Sequence, residues 1–317
     1  MAQKVSRDVV LAYDLGGTKV AAGVVRRDGK VLEEIRVPAQ IDLGKEAVLT
    51  QLSGMGRELI KRYPKVLHVG LASAGPLDPE RGDLLDPSNF KSAGKNWGRV
   101  PITRILSRRL HIPVQLENDA AAAILAECWV GAARRIKNAM VLTLGTGLGT
   151  GIVVDGALVR AGRFMHPEAG HLILNSDDKT AHCGCGNYGC AEAYLSGLNF
   201  SRRASAMLGQ ELLSGKEIAS MARSGHPTAL GAFEEYAHMM AVAIHNFVVI
   251  YCPEIVIFTG SFAHASDLFL KQTETELERL LIRRRVGVDL MPKLVVSRLK
   301  NQASLIGGAR VAFNAIN

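Results

Sequence analysis

The 317-residue sequence has no apolar run approaching the roughly 20 residues that a transmembrane helix needs. Its longest apolar stretch, residues 239–252, is interrupted by His245 and Asn246 and is stopped by Pro253. The N-terminus lacks the apolar segment and the small-residue cleavage site of a secretory signal. These absences lead us to expect a cytoplasmic protein with no membrane partner.

Aromatic residues are only 5% of the chain, but hydrophobic residues reach 48% and charged residues 21%. These values are near the globular average and exclude a mainly disordered, collagen-like or coiled-coil chain. The length predicts about two domains. The formal net charge is +8, for which solubility is the favoured explanation and an acidic small molecule or nucleic acid the alternative. The one basic run, Arg283, Arg284 and Arg285, is interpreted as a solvated helix end.

The chain also lacks the common phosphate motifs. It contains no G-x-x-x-x-G-K-[ST], and GTGLGTG (145–151) does not match G-x-G-x-x-G, because residue 150 is Thr and a strand is predicted to follow. What it has instead are two glycine turns between predicted strands, DLGGTK (14–19) and GTGLGTG. Glycines let backbone N–H groups curve around a phosphate, and Asp14 could hold a water of Mg²⁺. Two ordinary glycine hairpins are the alternative.

The two glycine turns lie in similar surroundings. Strands are predicted over 9–25 and 30–36 around the first turn, and over 140–144, 152–154 and 157–160 around the second, with an Asp-Gly turn before the last strand of each set. This repetition predicts two domains of the same fold. Other predicted strands cover 66–72, 114–116, 254–259 and 293–296, and a long loop covers 76–100. The predicted helices are 45–62, 101–110, 120–129, 194–207, 216–223, 227–252, 264–282 and 303–313.

Three of the five cysteines lie within eight residues, at Cys183, Cys185 and Cys190. With His171 they supply one imidazole and three thiolates, the donor set of a closed, structural zinc site. His182 is a lower-ranked alternative for the imidazole. The other interpretation is packed cysteines beside a core histidine, which the C-x-C-x₄-C spacing disfavours. Cys128 and Cys252 are predicted to be small core residues.

Candidate carboxylates lie beside these features. Phosphoryl transfer to a hydroxyl needs a carboxylate within hydrogen-bond reach of that hydroxyl, and Glu117-Asn118-Asp119 lies where a predicted strand meets a predicted helix. A helix N-cap is the alternative role for Asn118 or Asp119. Glu168 and Glu192 flank the cysteine cluster, where a bound metal would hold them near one place. A helix N-terminal acid is the alternative for Glu192.

Six segments together resemble the ROK family (repressors, open reading frames, kinases) of the sugar kinase, actin and Hsp70 superfamily. The resemblance runs from about residue 9 to the C-terminus and is carried by DLGGTK (14–19), LENDAAAAILAE (116–127), LGTGLGTGIVVDG (144–156), EAGH (168–171), CGCGNYGCAEAYLSG (183–197) and FTGS (258–261). It implies an α/β fold of two ribonuclease-H-like (actin-like ATPase) domains around a hinged cleft, with a small zinc-binding loop. It also implies ATP-dependent phosphorylation of a hexose, usually at the 6-hydroxyl.

The resemblance assigns roles residue by residue. Asp119 matches the family's general base. The residues that match its sugar ligands are Gly75, Asn118, Asp119, Glu168, His171 and Glu192. Those that match its nucleotide and phosphate site are Asp14, Gly16, Gly17, Thr18, Lys19, Thr146, Gly147, Gly260 and Ser261. His171, Cys183, Cys185 and Cys190 match the zinc ligands, so His171 would serve both metal and sugar. The cofactors implied are ATP, Mg²⁺ and structural Zn²⁺.

Two departures affect the substrate. The adenosine turn Gly260-Ser261 lacks the run of glycines that the family more often has. Phe164-Met165-His166-Pro167 resembles the fructokinase branch, whereas the longer match of the cysteine loop resembles the glucokinase branch. The sequence therefore favours glucose, with fructose, N-acetylmannosamine or N-acetylglucosamine as alternatives. Polyphosphate is an alternative donor to ATP.

Two non-enzymatic classes are disfavoured. A repressor would carry a helix-turn-helix module before the first glycine turn, where only 13 residues precede Asp14, so no nucleic-acid partner is expected. A sugar-binding protein without turnover would not need Asp119 and both turns. We expect a homodimer with a smaller domain of residues 1–117 plus a C-terminal helix at 301–317, and a larger domain of residues 118–300.

Overall fold

The computed structural model describes residues 8–87, 89–162, 165–282 and 287–316. Their contacts divide this part of the chain into two compact units. Unit 1 contains residues 8–134, 158–167 and 302–316, and unit 2 contains residues 135–157 and 168–301. The predicted division assigned residues 118–134 and 158–167 to the second domain, whereas the contacts place both segments in unit 1. Phe164 and the basic run at 283–285 lie outside the described residues.

The strands and helices follow the chain in this order. Residues 8–134 form β1 (Val9–Leu15), β2 (Lys19–Arg26), β3 (Val31–Pro38), α1 (Lys45–Arg62), β4 (Val69–Ser73), β5 (Leu77–Asp78), β6 (Asp83–Leu85), β7 (Lys91–Ser92), β8 (Lys95–Asn96), β9 (Arg99–Val100), α2 (Ile102–Leu110), β10 (Val114–Asn118) and α3 (Asp119–Val130). Later residues form β11 (Ala139–Leu144), β12 (Leu148–Val154), β13 (Ala157–Leu158), α4 (Ala191–Leu195), α5 (Gly197–Met207), α6 (Gly215–Arg223), α7 (Pro227–Tyr251), β14 (Ile255–Thr259), α8 (Leu270–Leu280), β15 (Lys293–Val296) and α9 (Ala303–Asn314).

The main sheet of unit 1 has the strand order β10-β4-β1-β2-β3. Strand β1 is antiparallel to β2 and parallel to β4. Its alternate side chains enter two cores: Leu11, Tyr13 and Leu15 pack in one cluster with residues of α1 and α2, and Val10 and Ala12 pack with residues of α9. The two-residue period of a strand explains why β1 is almost wholly apolar, since helices cover both of its faces.

Helix α3 belongs to unit 1 because it packs closely on α9. A Cβ on Gly307 of α9 would lie 1.8 Å from the carbonyl oxygen of Ala122, so glycine is required there. The next glycine of α9, Gly308, approaches the sheet in the same way, since a Cβ on Gly70 of β4 would lie 1.8 Å from its carbonyl oxygen. These two backbone contacts hold α3, α9 and the sheet together.

The main sheet of unit 2 has the order β13-β12-β11-β14-β15, with β11 antiparallel to β12 and parallel to β14. Written from its other edge, the sheet of unit 1 is β3-β2-β1-β4-β10, so the two sheets have the same order of first, second, third, fourth and fifth strands. This repetition confirms the predicted pair of ribonuclease-H-like units. An aromatic cluster packs the helices of this unit: the rings of Phe200 and Phe233 are 4.7 Å apart, those of Phe200 and Phe262 are 4.7 Å apart, and Tyr236 lies 4.8 Å from Phe269. In the described chain, no helix combines the length and apolar character needed to span a membrane.

Three predicted segments differ from the structure. The long loop at 76–100 contains the small sheet β5-β6-β9 and the hairpin β7-β8, strands too short for a periodicity to show. The helix predicted over 264–282 begins as a 3-10 helix, Ser261–Leu268, and becomes α-helical only in α8. Strand β12 starts at Leu148, so Gly149 and Gly151 belong to a strand, where they pair with Thr143 and Val141.

Candidate active site

The first glycine turn joins β1 to β2 in unit 1. The amide of Gly16 donates to the carbonyl oxygen of Lys19 over 3.0 Å and closes the turn. Thr18 and Lys19 are exposed. A Cβ on Gly17 would lie 3.4 Å from Cβ of Asn89, so the loop before β7 reaches this turn. Asn89 was not predicted as a site residue, because nothing in the sequence marks its contact with a turn some 70 positions earlier.

Asp14 lies just before this turn, and the pKa of its carboxyl is raised. Its side chain is 21% exposed, and the guanidinium of Arg36 is 3.9 Å away. Burial raises the pKa of Asp14 to about 7, and the nearby charges of Asp119 and Glu34 add to the rise, while Arg36 opposes it. Asp14 and Asp119 are therefore near enough to interact, and their carboxylate oxygens are donors of the kind that Mg²⁺ prefers. The residues present therefore fit a magnesium site.

Asn118 and Asp119 mark the junction of β10 and α3. The side-chain oxygen of Asn118 accepts hydrogen bonds from the amides of Ala120 at 2.9 Å and Ala121 at 3.0 Å, so Asn118 is the N-cap that the sequence offered as its alternative role. Asp119 is the first helical residue, and its Oδ1 accepts from the amide of Ala120 at 2.8 Å. This cap fixes the backbone from which the Asp119 carboxylate projects.

Gly75 follows β4, the strand between β1 and β10. The amide of Ala74 donates to the carbonyl oxygen of Leu15 over 3.2 Å, which ties this segment to the start of the first glycine turn. The Gly75–Pro76 peptide bond is cis. In unit 1 the predicted residues therefore gather where three neighbouring parallel strands end, a common place for ligand sites in α/β sheets.

The second glycine turn joins β11 to β12 in unit 2. Gly145 donates its amide to the carbonyl oxygen of Gly147 over 3.1 Å. The hydroxyl of Thr143 accepts from the amide of Gly149 at 3.1 Å, and Oε2 of Glu192 accepts from the amide of Leu148 at 2.9 Å. These two side-chain acceptors fix the backbone that directly follows Thr146 and Gly147.

The four predicted metal ligands come together in unit 2. The ligand atoms of His171, Cys183, Cys185 and Cys190 all lie within 4.8 Å of one another. The Sγ atoms of Cys185 and Cys190 are 3.7 Å apart, and Cys183 Sγ is 3.4 Å from His171 Nδ1. Zinc–ligand bonds of about 2.3 Å to sulfur and about 2.0 Å to nitrogen give tetrahedral edges of about 3.8 and 3.5 Å. The donor set and its spacing fit zinc.

The metal cluster lies directly against the second glycine turn. A Cβ on Gly170, next to His171, would lie 2.2 Å from the carbonyl oxygen of Leu148. Glu192 also bridges the two features, because its Oε2 binds the Leu148 amide while its Oε1 is 3.4 Å from the Cys183 thiol. Glu168 is exposed, and its carbonyl oxygen accepts from the amide of His171 at 3.0 Å. The Glu192 carboxylate thus has a positioning task that the sequence did not reveal.

A cavity of about 840 Å³ opens beside the second glycine turn. Its lining includes Thr146 of that turn, Ser261, and three residues that sequence reasoning missed: Ser201, Lys216 and Phe262. These missed residues come from α5, α6 and the segment after β14 and share no motif. A volume of this size accommodates a nucleoside.

Gly260 directly precedes Ser261, which lines this cavity. Its φ of 92° lies in the region that favours glycine, and a Cβ there would lie 2.5 Å from the carbonyl oxygen of Leu144. This glycine therefore lets the segment that carries Ser261 pass close to the end of β11. Arg223 of α6, which also lines the cavity, forms a bidentate ion pair with Asp267 through a 2.8 Å bond from Nε and a second bond from Nη2.

The family model described as "ROK family" matches residues 10–314. A glucokinase of Thermotoga maritima is 29% identical, over 95% of this chain and 96% of its own length. An N-acetyl-D-glucosamine kinase of Citrobacter koseri is 30% identical, over 94% and 97%. The crystal structure of a ROK family glucokinase from Streptomyces griseus in complex with glucose and AMPPNP has a TM-score of 0.81 and 29% identity, covering 96% of this chain and 99% of that one.

Proposed function

The chain belongs to the ROK family and is a sugar kinase, and from that premise we propose that it transfers the γ-phosphoryl group of ATP to the 6-hydroxyl of glucose. The observation that carries the proposal is the position of Asp119 at the capped start of α3, near enough to Asp14 for its charge to help raise the pKa of that residue. A carboxylate fixed beside a second acid and a glycine turn is suited to accept a proton during phosphoryl transfer.

Asp119 acts as the general base in this proposal. Its carboxylate accepts the proton of the attacking sugar hydroxyl. The Asn118 cap holds the first turn of α3 in place and thereby fixes the backbone of Asp119. Asp14 helps to hold Mg²⁺, which, when bound, offsets negative charge on the phosphates. Hydrogen-bond donors to the phosphates are proposed to come from both glycine turns. They are the exposed Thr18 and Lys19 with the glycines of the first turn, and Thr146 and Gly147 of the second.

The nucleoside is proposed to occupy the cavity beside Gly260 and Ser261. This cavity has an apolar wall from Phe262 and a cation at Lys216. The Streptomyces griseus relative, solved with AMPPNP, supports ATP as the donor. Zinc is proposed to bind His171 and the three cysteines and to shape the loop that carries Glu192.

The hexose is proposed to bind the residues that match the family's sugar ligands, Gly75, Asn118, Asp119, Glu168, His171 and Glu192. Glucose is favoured by the two glucokinase relatives. N-acetylglucosamine is the second candidate, because the relative from Citrobacter koseri is an N-acetyl-D-glucosamine kinase of equal similarity. The two sugars differ at C2, so the pocket around that carbon decides between them.

A coupled ADP-release assay tests the proposal, with Mg-ATP and a panel of glucose, fructose, N-acetylglucosamine and N-acetylmannosamine. Glucose should give the highest kcat/KM, and Asp119→Asn should lower kcat about 100- to 10,000-fold by removing the base. Asp155→Asn is the matched control, since Asp155 is an exposed turn residue with a φ of 50° that Asn adopts readily. Near wild-type turnover in Asp119→Asn would reject the base assignment. A higher kcat/KM for another sugar would reject glucose as the preferred substrate. Activity with polyphosphate and none with ATP would reject ATP as the donor.

A further inference from the structure

Glu117 is a buried carboxylate that the proposed reaction does not use. It lies in β10 immediately before Asn118, and the residue is only 2% exposed. Both of its oxygens are bound by the guanidinium of Arg160: Nη1 donates to Oε1 over 2.9 Å, and Nη2 donates to Oε2. A buried carboxylate is costly unless it is paired in this way, and the planar fork of arginine matches it with two parallel bonds.

The same carboxylate also holds the backbone that leads to the base. Oε1 of Glu117 accepts from the amide of Asn118 over 2.9 Å. Asn118 in turn caps α3 through the amides of Ala120 and Ala121, and Asp119 shares the Ala120 amide. A continuous set of hydrogen bonds therefore runs from the Arg160 guanidinium to the Asp119 carboxylate. Each bond restricts the dihedral angles at the junction of β10 and α3.

Arg160 reaches Glu117 from a distant part of the sequence. It lies in the segment 158–167, which belongs to unit 1 although the residues on either side of it in the chain belong to unit 2. The Arg160 side chain is 33% exposed, so the pair is open to water on one side only. The segment ends at Pro167, directly before Glu168. The ion pair thus links the backbone of the base to the segment that precedes a proposed sugar ligand.

We propose that Arg160 is a positioning residue for phosphoryl transfer, which holds Glu117 in a bidentate ion pair and thereby fixes the direction of the Asp119 carboxylate. The alternative is an ion pair that only stabilises the fold. A buried pair is weak evidence for stability, because apolar side chains of similar volume often serve as well. Bonds with fixed directions are what orienting a base requires. The proposal rests on the assignment of Asp119 as the base.

Steady-state kinetics of Arg160→Gln, Arg160→Lys, Glu117→Gln and the Glu117→Gln/Arg160→Gln double variant test this role, with the sugar that gives the highest turnover. Arg160→Gln should lower kcat about 10- to 100-fold with both KM values within about twofold of wild type, because the base is misdirected while binding is kept. Arg160→Lys should fall between, since an ammonium group cannot form the fork. The double variant should be no slower than the slower single variant, because the two residues act as a unit.

Arg99→Gln is the matched control. Arg99 pairs with Asp83, another buried carboxylate of unit 1, through a 2.8 Å bond from Nε in the small sheet β5-β6-β9. Its loss should lower the melting temperature without changing kcat. The proposal is overturned if Arg160→Gln has the kcat of Arg99→Gln, if its effect is confined to the KM for the sugar, or if the double variant shows additive losses. If Glu117→Gln does not fold, the comparison of Arg160→Gln with Arg160→Lys still tests the proposal, because the Arg160 side chain is 33% exposed. Failure of the base assignment is seen separately, as retained turnover in Asp119→Asn.

Discussion

Each unit has a glycine turn at the equivalent point of its own main sheet, but the side chains that precede the two turns differ. In unit 1 the turn follows Asp14, whose pKa is raised to about 7, while in unit 2 the equivalent position is Thr143, which accepts a hydrogen bond from its own hairpin. One turn is thus bordered by a group that can gain or lose a proton and the other by a neutral hydroxyl. The shared topology determines where the turns lie. The side chain two residues before each turn determines whether an ionisable or a neutral group lies beside it.

The units also differ in what supports them. Unit 1 relies on glycines that let backbone and side chains approach closely, as Gly56 of α1 does against Tyr13. Unit 2 relies on a cluster of packed aromatic rings and on four clustered side chains that can bind a metal. We therefore expect unit 2 to respond to metal loss and unit 1 to respond to protons at Asp14, while closely packed glycines matter in both units.

The largest difference should come from the metal ligands. Cys190→Ser should abolish zinc retention and lower the free energy of unfolding by about 4 kcal/mol or more, because Cys190 is fully buried and loss of a structural metal is among the most destabilising changes. Zinc per chain, measured by atomic emission after gel filtration, checks the first part. Hydrogen exchange should rise at residues 171–192 and stay unchanged at residues 9–38.

Cys252→Ser is the control for that experiment, because Cys252 lies outside the cluster. The prediction that Cys252 is a core residue is wrong, since it follows the end of α7 and is exposed. The Cys252→Ser variant should keep one zinc per chain. Equal loss of protection in both units after Cys190→Ser would contradict the expected difference between them, and full zinc retention would contradict the ligand set.

The next effect concerns Asp14. Its pKa is raised from 3.8 to about 7 in the folded state, so the folded protein binds more protons than the unfolded chain between those values. The wild type therefore loses stability as the pH rises through this window. Asp14→Asn removes the buried charge and should stabilise the ligand-free protein by up to about 4 kcal/mol at about pH 8, with no gain below about pH 4.

Urea denaturation of wild type and Asp14→Asn across this pH range measures the difference. Asp155→Asn, at an exposed carboxylate of unit 2, should show no such pH dependence. An equal gain at both ends of the range would mean that the charge of Asp14 is not the cause.

The smallest effect separates two glycines of α1. A Cβ on Gly56 would lie 2.0 Å from the hydroxyl oxygen of Tyr13, which itself donates to the carbonyl oxygen of Leu52 over 2.9 Å, whereas a Cβ on Gly54 would meet nothing within 4 Å. Gly56→Ala should therefore destabilise by about 1–3 kcal/mol through overpacking. Gly54→Ala should stabilise by about 0.5–1 kcal/mol, because alanine favours a helix more than glycine does. Thermal unfolding checks both, and equal signs would contradict the close packing of unit 1.

Much of the fold could be predicted from local patterns. Helix α1 begins and ends where the apolar spacing at 45–62 predicts, and the repeated strand–turn–strand pattern predicts both sheets. Local sequence suffices there because amphipathic periodicity and turn glycines reflect burial directly. The short strands at 77–100 and the 3-10 start of Ser261–Leu268 could not be predicted, since tertiary contacts determine such short elements.

The candidate site divides in the same way. His171 and the cysteine cluster could be predicted because a metal site needs particular residue types at short spacing. The pairing of Arg160 with Glu117, the contact of Asn89 with Gly17, and the place of Lys216 in the cavity could not, because each joins residues far apart in the chain without a motif. The roles of the predicted sugar and phosphate residues stay predictions that the proposed assays address.

The sequence by itself determined the family, the duplicated sheet and the chemical types of the candidate ligands, because these follow from motifs and periodicity within short windows. Only the tertiary structure decided what each polar group touches. Glu192 binds the Leu148 amide, Asp14 takes up a raised pKa near Asp119, and Gly54 and Gly56 differ although they share one helix. The physical reason is that pKa values, packing and hydrogen-bond partners depend on distances of a few ångströms between atoms that the chain order leaves far apart.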